Sequence, residues 1–202
     1  MALTRDTLIE RVQSSGAVRL LFDTNAVEMH RAFHRLCDEI NRLNHTMKPR
    51  HIDMFISAVA HTEKLFHLKQ QIGAPFDVRV AMAGLTNVGV KVLPFAIEHA
   101  HATALLLGKR YEKRDDWRDA KRKRCLQCLG ARPEDSVGKN CSATIDWLIA
   151  AHAIHENCIL VTDDRGIEFR DVLDKITMDT LEQAIGELLR TSERESPEAG
   201  PS

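Results

Sequence analysis

Acidic residues follow two short, mainly apolar runs that are typical of buried strands. Residues 19–22 lead directly into Asp23, and residues 158–161 lead within three positions into Asp163 and Asp164. Because parallel strands end at one edge of a sheet, we expect these carboxylates to lie close together there. Crowded carboxylates repel one another unless a cation neutralises them, and their oxygen atoms suit Mg²⁺ or Mn²⁺. The pattern predicts a metal site and, with it, phosphate chemistry.

The elements that must position these acids alternate along the chain. Strands are predicted at residues 19–23, 53–57, 90–94, 158–162 and 175–178. Helices are predicted at residues 4–15, 25–43, 58–72, 97–107, 142–156 and 181–189. A further acid, Asp146, lies in the first turn of the helix before the second run. The alternation predicts an α/β fold, a three-layer α/β/α sandwich around a mostly parallel sheet.

Length and composition predict one domain and exclude several classes of protein. The chain has 202 residues and a net charge of −1, so attraction to nucleic acid must come from a local patch. No apolar run is long enough to span a bilayer, and the first residues lack a secretion signal. Five cysteines, an odd number, favour reduced thiols and a cytoplasmic location. Residues 1–190 are predicted as the domain and residues 191–202, rich in Ser, Glu, Pro and Gly, as a disordered tail.

A basic insertion at about 109–140 interrupts the alternation. Residues 109–124 hold nine basic and four acidic side chains, which permits two interpretations. One is a solvated helix of mixed charge. The other is a basic helical arm that grips a phosphodiester backbone, with Tyr111 and Trp117 stacking on bases. The second interpretation predicts that RNA phosphates contact Arg118, Lys121, Arg122 and Arg124.

Four motifs taken together resemble the PIN-domain family. They are Phe22–Asn25, Ile56–Leu65, Asp146–Ala153 and Val161–Asp164, and the resemblance covers about residues 20–189. It implies a Mg²⁺- or Mn²⁺-dependent endoribonuclease that hydrolyses single-stranded RNA, either the toxin of a toxin–antitoxin pair or an RNA-processing enzyme. The acids that it implies as metal ligands and catalytic residues are Asp23, Glu63, Asp146 and Asp164.

The chemistry assigns each acid a role. Asp23 is expected to be the central ligand, because a strand end leaves it little freedom. Glu63 lies on a helix, and its longer side chain is expected to orient a water molecule or accept its proton. Asp146 and Asp164 are expected to complete the ligand set.

Three neighbouring residues are expected to support the acids. Asn25 and Thr162 are amide and hydroxyl donors that we expect to orient the carboxylates. Asp163 is a further candidate metal ligand, but at a strand end its side chain should point away from that of Asp164. It therefore ranks behind Asp164.

Each acid also has a simpler interpretation. Asp23 fits a helix N-cap, Asp146 a first-turn acid that interacts with the helix dipole, and Asp163-Asp164 an ordinary turn. Glu63 fits an exposed helical acid that pairs with Lys64 or His67. Four independent coincidences explain the joint pattern less well than one site does.

Cysteine and histidine permit a second metal hypothesis. Cys125 and Cys128 have the spacing of zinc ligands, and Cys141, His152 or His155 could complete a tetrahedral set. The alternative is buried or idle thiols, and Cys158 is expected to pack in the core. The helical histidines, namely His99, His101, His152 and His155, are expected to be surface or hydrogen-bonded residues.

Two other classes of function stay open beside the nuclease. One is a catalytically inactive scaffold of the same fold that binds RNA or protein. The other is a phosphohydrolase of the haloacid-dehalogenase type, which needs a second Asp where Asn25 stands. An antitoxin protein and a second copy of the chain are open as partners, and no membrane partner is expected.

Overall fold

Strand β1 (Ala17–Phe22) is the centre of a five-stranded parallel sheet in the computed structural model, which describes residues 2–14, 17–47, 51–120 and 143–195. The strand order is β3-β2-β1-β4-β5. The other strands are β2 (His51–Ser57), β3 (Val90–Leu93), β4 (Ile159–Val161) and β5 (Lys175–Ile176). The expected α/β sandwich with a parallel sheet is confirmed.

Helices cover both faces of the sheet. The helices are α1 (Arg5–Ser14), α2 (Thr24–Glu28), α3 (His30–Thr46), α4 (Ala58–Ile72), α5 (Val78–Asn87), α6 (Ile97–Arg110), α7 (Ala143–His155) and α8 (Met178–Glu195). On one face α8 packs against α1 and α3, and on the other α7 packs against α4 and α6. No helix in the described part of the chain is both long and apolar enough to cross a bilayer.

Burial from both sides explains why the central strands are apolar along their length. Leu20, Leu21 and Phe22 are fully buried, and so is Leu160 of β4. Burying one such side chain contributes about 1.5–3 kcal/mol. Parallel strands between two helical layers have no solvent face, so period-two alternation is absent.

The strand register aligns the ends of the three central strands. Phe22 of β1 pairs with Ile56 of β2 and with Val161 of β4. Asp23, the residue after β1, continues the pairing with β4, because its backbone nitrogen donates to the carbonyl oxygen of Val161 at 3.0 Å. The residues that follow β1, β2 and β4 therefore emerge side by side at one edge.

Two of the predicted helices differ in extent from those expected. The helix predicted at 25–43 is divided at Met29 (φ −71°, ψ 20°) into α2 and α3. The last helix continues to Glu195, so residues 191–195 are helical and not part of a tail, and residues 196–202 lie outside the described residues. Thr177 explains its earlier start, because the hydroxyl accepts from the backbone nitrogen of Thr180 at 3.2 Å, as a cap does.

Helix α5 was not expected from the sequence. It begins where the side chain of Asp77 accepts from the backbone nitrogen of Arg79 at 2.8 Å. Within it only Leu85 is buried, while Val80 and Met82 are exposed. Its apolar residues therefore lack the one-sided spacing by which an amphipathic helix is identified.

The basic insertion is not one continuous helix over Lys109–Arg124. Helix α6 ends at Arg110, Tyr111 is extended (φ −126°, ψ 101°), and residues 114–120 are helical again. Residues 121–142 lie outside the described part of the chain, and with them Lys121, Arg122, Arg124, Cys125, Cys128 and Cys141.

Candidate active site: an acid cluster at the sheet edge

Asp23 occupies the centre of the sheet edge. It follows β1 directly, is 2% exposed, and caps α2 by accepting from the backbone nitrogen of Thr24 at Oδ1 (2.7 Å). Its Oδ2 accepts from the hydroxyl of Thr162 at 2.8 Å. The helix-cap interpretation is thus correct, yet the same carboxylate also lies among other acids.

Glu63 reaches the cluster from α4. The hydroxyl of Thr24 donates to its Oε2 at 2.8 Å, so one threonine contacts Asp23 through its backbone and Glu63 through its side chain. The simpler interpretation of Glu63, an exposed acid that pairs with Lys64 or His67, is therefore wrong. Instead, Nζ of Lys64 lies 3.3 Å from Nε2 of His30. Nδ1 of His67 lies 2.7 Å from Oε1 of Glu28, which is on α2.

Asp146 is buried in the first turn of α7, with 6% of its surface exposed. Burial raises its pKa to about 8, and the nearby charges of Asp23, Glu168, Asp164 and Glu63 raise it further in that order. A carboxyl whose pKa responds to four other acids belongs to one electrostatic cluster with them.

Asp164 and Asp163 point to different places, as expected for adjacent residues after a strand. Oδ1 of Asp164 accepts from the backbone nitrogen of Gly166 at 2.6 Å, and its own amide donates to the hydroxyl of Thr162 at 3.1 Å. Asp163 is exposed, and its Oδ1 accepts from the backbone nitrogen of Met178 at 3.3 Å. One oxygen of Asp163 is therefore engaged at the start of α8, and Asp163 still ranks behind Asp164 as a candidate metal ligand.

Hydroxyl groups orient the acids, and one of them was not predicted. Thr162 is buried and contacts Asp23 and Asp164, as expected of an orienting donor. Asn25 is exposed on α2, and the second orienting hydroxyl is that of Thr24. The motif that holds Asp23 contains both residues, and only the packing of α4 shows which one contacts an acid.

Glu168 is a fifth acid of the cluster that the sequence did not reveal. It lies in a short 3-10 helix (Ile167–Phe169) after β4, is 2% exposed, and raises the pKa of Asp146 by its charge. The burial of its neighbour Phe169 orients this turn inward. An acid before a large apolar residue was the available signal, and it is too common a pattern to identify a site.

The cluster carries an electrostatic cost. Burial raises the pKa of Asp23 to about 6, its hydrogen bonds from Thr162 and Thr24 lower it, and the charges of Asp164 and Glu63 raise it again. Burial outweighs the hydrogen bonds in that balance. The site therefore disfavours ionised carboxylates until positive charge is supplied.

The carboxylates are coupled, but they are not grouped as tightly as preformed metal ligands. Within the described residues, the candidate ligands whose atoms all lie within 4.8 Å of one another are His99, His152 and Glu156. Mutual repulsion and the threonine hydroxyls explain why the acids stay farther apart. Their convergence on one ion stays a prediction.

A cavity of about 530 Å³ opens beside Asp164. Besides that acid and Thr162, its lining includes Arg165, Arg170 and Lys175. Positive side chains next to the acids give one end of the cluster a surface that suits an anionic ligand.

The aromatic residues of the insertion pack against α7, and their stacking on bases stays a prediction. Tyr111 and Trp117 are half-buried, and their rings lie 5.4 Å apart and 6.0 Å and 6.5 Å from the buried ring of Trp147. Trp147 follows Asp146 on α7, so this group attaches residues 114–120 beside the acids. Arg118 is exposed, 3.5 Å from Asp115.

The other residues singled out in the sequence fall into two groups. Cys158 is buried, as expected, and His101 and His155 are exposed. His99 and His152 are buried and make hydrogen bonds, which is the second of the two expected alternatives.

Comparison with known proteins adds no assignment. No protein-family model matches the sequence, and no curated protein matches it. Function is therefore inferred from the geometry of the acid cluster.

Proposed function

We propose that this chain is a PIN-like, cytoplasmic endoribonuclease that uses Mg²⁺ or Mn²⁺ to hydrolyse phosphodiester bonds of single-stranded RNA. One observation supports this most strongly. Asp23 and Asp146 are buried beside further acids, with pKa values raised to about 6 and about 8. Such crowding is unfavourable for folding and is typical of sites that bind a cation.

The residues present fit a hard divalent cation. The donors are oxygen atoms, and carboxylate oxygen is the ligand type that Mg²⁺ and Mn²⁺ prefer over softer metals. Asp23, Asp146 and Asp164 would hold the ion, with Glu63 at the rim. When bound, the ion neutralises charge on the phosphoryl oxygens and lowers the pKa of water for attack.

Glu63 is the proton acceptor in this proposal. It is half-buried, unlike Asp23 and Asp146, so it can exchange a proton with solvent between turnovers. Thr24 donates to Oε2, which leaves the other oxygen of the carboxylate for a water molecule. The same contact fixes the direction of α4 relative to α2.

Hydrogen bonds from Thr162 and Gly166 align Asp23 and Asp164. Hydrogen bonds to a carboxylate favour its charged form, and Thr162 lowers the pKa of Asp23 in this way. The backbone amide of Gly166 donates to Oδ1 of Asp164 and so orients that carboxylate. Both acids are thereby held before substrate arrives, which removes a reorganisation cost from the reaction.

RNA binding is assigned to positive groups on two sides of the cluster. The cavity beside Asp164 offers Arg165 and Arg170 to a phosphate. The basic insertion, anchored next to Asp146, offers Arg118 and the basic residues that follow it. These contacts offset the repulsion between the acids and an RNA backbone.

The proposal is tested with purified protein and labelled single-stranded and double-stranded RNA in Mg²⁺, Mn²⁺ or EDTA. Single-stranded RNA should be cut internally with either metal and stay intact in EDTA. Asp23→Asn should reduce cleavage by about 10³-fold or more while leaving the fold intact. Asp163→Asn is the matched control, since its carboxylate lies next to the site but contacts Met178, and it should keep nearly full activity.

Two outcomes would count against the nuclease. RNA that binds the parent protein but is never cut with either metal would favour an inactive scaffold. Hydrolysis of small phosphate esters without cleavage of RNA would favour a phosphohydrolase. An antitoxin protein and a second copy of the chain remain predicted partners, to be sought by co-purification.

A further inference from the structure

A second group of candidate ligands lies at the end of α7 opposite Asp146. His152 and Glu156 are four positions apart, so they project from the same side of the helical turn, and His99 of α6 faces them. One atom from each lies within 4.8 Å of the others. His152 is fully buried, His99 is 5% exposed, and Glu156 is half-buried.

His152 presents a buried nitrogen atom that lacks a partner. Nδ1 lies 2.9 Å from the hydroxyl oxygen of Ser57, whereas Nε2 is inaccessible to water and makes no hydrogen bond. With its proton on Nδ1, the ring donates to Ser57, and the lone pair of Nε2 is left for a ligand. Histidine ligands to metals are commonly held in this way, and a buried nitrogen atom without a partner is otherwise unfavourable.

Glu156 is fixed so that one oxygen atom faces the histidines. Arg19 of β1 donates from Nη2 to Oε2 at 3.0 Å, and from Nη1 to the backbone oxygen of the same residue. The other oxygen, Oε1, accepts from Nε2 of His99 at 2.9 Å. The guanidinium group is itself held over the ring of Phe55, 5.0 Å from its centroid.

His99 must give up two hydrogen bonds to act as a ligand, the one that Nε2 donates to Glu156 and the one that Nδ1 accepts from Ala96. Its Nδ1 accepts from the backbone nitrogen of Ala96 at 2.8 Å, so Nε2 carries the proton that is donated to Glu156. Ligation through Nε2 moves that proton to Nδ1 without net release, and the contact to Ala96 opens. A helix-cap hydrogen bond is much weaker than the binding of a zinc ion by imidazole, so the exchange favours the metal.

We propose that His99, His152 and Glu156 bind a divalent transition metal of the Zn²⁺ class. Two imidazole nitrogens and one carboxylate oxygen suit Zn²⁺ and not Mg²⁺, which separates this site from the acid cluster. The ring of Phe95 lies 5.4 Å and 5.7 Å from those of the two histidines and covers the group on an apolar side. The ion joins α6 to α7, the helix that carries Asp146.

The test is a Zn²⁺ titration of full-length protein stripped with a chelator. The parent for this test carries Asp23→Asn, Cys125→Ser and Cys128→Ser, which weaken binding by the acid cluster and by the cysteine pair. Calorimetry should show one equivalent of Zn²⁺ bound, and Mg²⁺ at the same concentration should not compete. Zn²⁺ should also raise the melting temperature, because it binds the folded state.

Replacement of the ligands decides the assignment. His152→Gln and Glu156→Gln should each weaken Zn²⁺ affinity by about 100-fold or more, and Ser57→Ala by about 10-fold through loss of orientation. His101→Gln, an exposed histidine on α6, is the matched control and should bind as the parent does. Circular dichroism checks that each variant is folded. If one of the two ligand variants does not fold, the other still tests the site.

Three results would overturn the site. The first is a parent that binds no Zn²⁺ at the concentrations used. The second is folded His152→Gln and Glu156→Gln protein with unchanged affinity. The third is binding by the natural sequence that disappears with the cysteine replacements alone, which would assign the ion to Cys125 and Cys128.

Discussion

Thr162 donates its hydroxyl hydrogen to Oδ2 of Asp23 across 2.8 Å, which joins the end of β4 to the end of β1. The same hydroxyl oxygen accepts from the amide of Asp164 at 3.1 Å. One buried side chain thus sets the spacing of two acids that come from distant parts of the sequence. Changes at Thr162 should therefore affect the chemistry more than the fold.

Thr162→Val tests this relationship, because valine keeps the shape and removes the hydroxyl. The hydrogen bond favours ionised Asp23, so its loss should raise the pKa of that carboxyl above about 6. We expect RNA cleavage to fall by roughly 10- to 100-fold, with its acid limb moved to higher pH. The measurement is a profile of cleavage rate against pH. Thr86→Val, on exposed α5, is the control, and an unmoved acid limb in Thr162→Val would contradict the assignment.

The raised pKa of Asp146 predicts how stability depends on pH. Between the ordinary value of 3.8 and about 8, the folded chain keeps a proton that the unfolded chain has released. Without metal, this carboxyl therefore contributes stability that is present at low pH and is lost as pH rises through that window. Asp23, raised to about 6, contributes in the same direction.

Asp146→Asn should remove most of that dependence. In EDTA at pH 8 we expect the variant to be more stable than the parent by about 1–3 kcal/mol, and equal to it near pH 4. Chemical denaturation at several pH values measures this. Asp115→Asn, whose side chain is 84% exposed, is the control. A difference in stability between variant and parent that does not change from pH 4 to pH 8 would contradict the burial of Asp146.

Gly89 tests the packing between α3 and the turn before β3. Its φ is +80°, and an added Cβ atom would lie 2.9 Å from Oδ1 of Asn41, whose amide donates to the backbone oxygen of Val88 at 3.1 Å. Gly89→Ala should thus destabilise the protein by about 1–3 kcal/mol, from backbone strain and a lost hydrogen bond.

Gly84→Ala is the control. Gly84 lies within α5, and no atom lies within 4 Å of the new Cβ, so this change should be neutral or stabilising by about 0.5–1 kcal/mol. Thermal unfolding distinguishes the two, and equal effects would refute the local geometry.

The basic insertion is tested by replacing Arg118, Lys121, Arg122 and Arg124 with Gln. Phosphate contacts are independent of base sequence, so affinity should fall alike for all RNAs, and its dependence on salt should flatten. The cleavage rate at saturating RNA should stay near that of the parent. A control with the same charge change replaces four arginines of α1, α3 and α8, namely Arg5, Arg35, Arg42 and Arg190. Equal losses in the two quadruple variants would show that net charge alone matters.

The sequence predicts those parts of the site that follow from strand order. Asp23 and Asp164 were found because a buried strand precedes each, and parallel pairing brings such ends together. Asp146 was found because it begins the helix before β4. These residues depend on local pattern and on one general property of parallel sheets.

The residues that were missed depend on contacts between distant elements. Thr24 matters because α4 brings Glu63 to its hydroxyl, and Glu168 matters because the turn after β4 is buried. Helix α5 lacks the buried stripe that identifies a helix in sequence. The sequence also does not show that the burial of His152 leaves its Nε2 atom without a partner.

The strand order has a consequence for how the protein is made. Because β4 inserts beside β1, the chain must complete β2 and β3 before the central pair can form. A growing polypeptide that has passed Glu63 but not Asp146 carries only part of the acid set. The acid set of the proposed ribonuclease is therefore complete only after translation has passed Asp164, so a nascent chain shorter than that cannot cut the ribosomal RNA beside it.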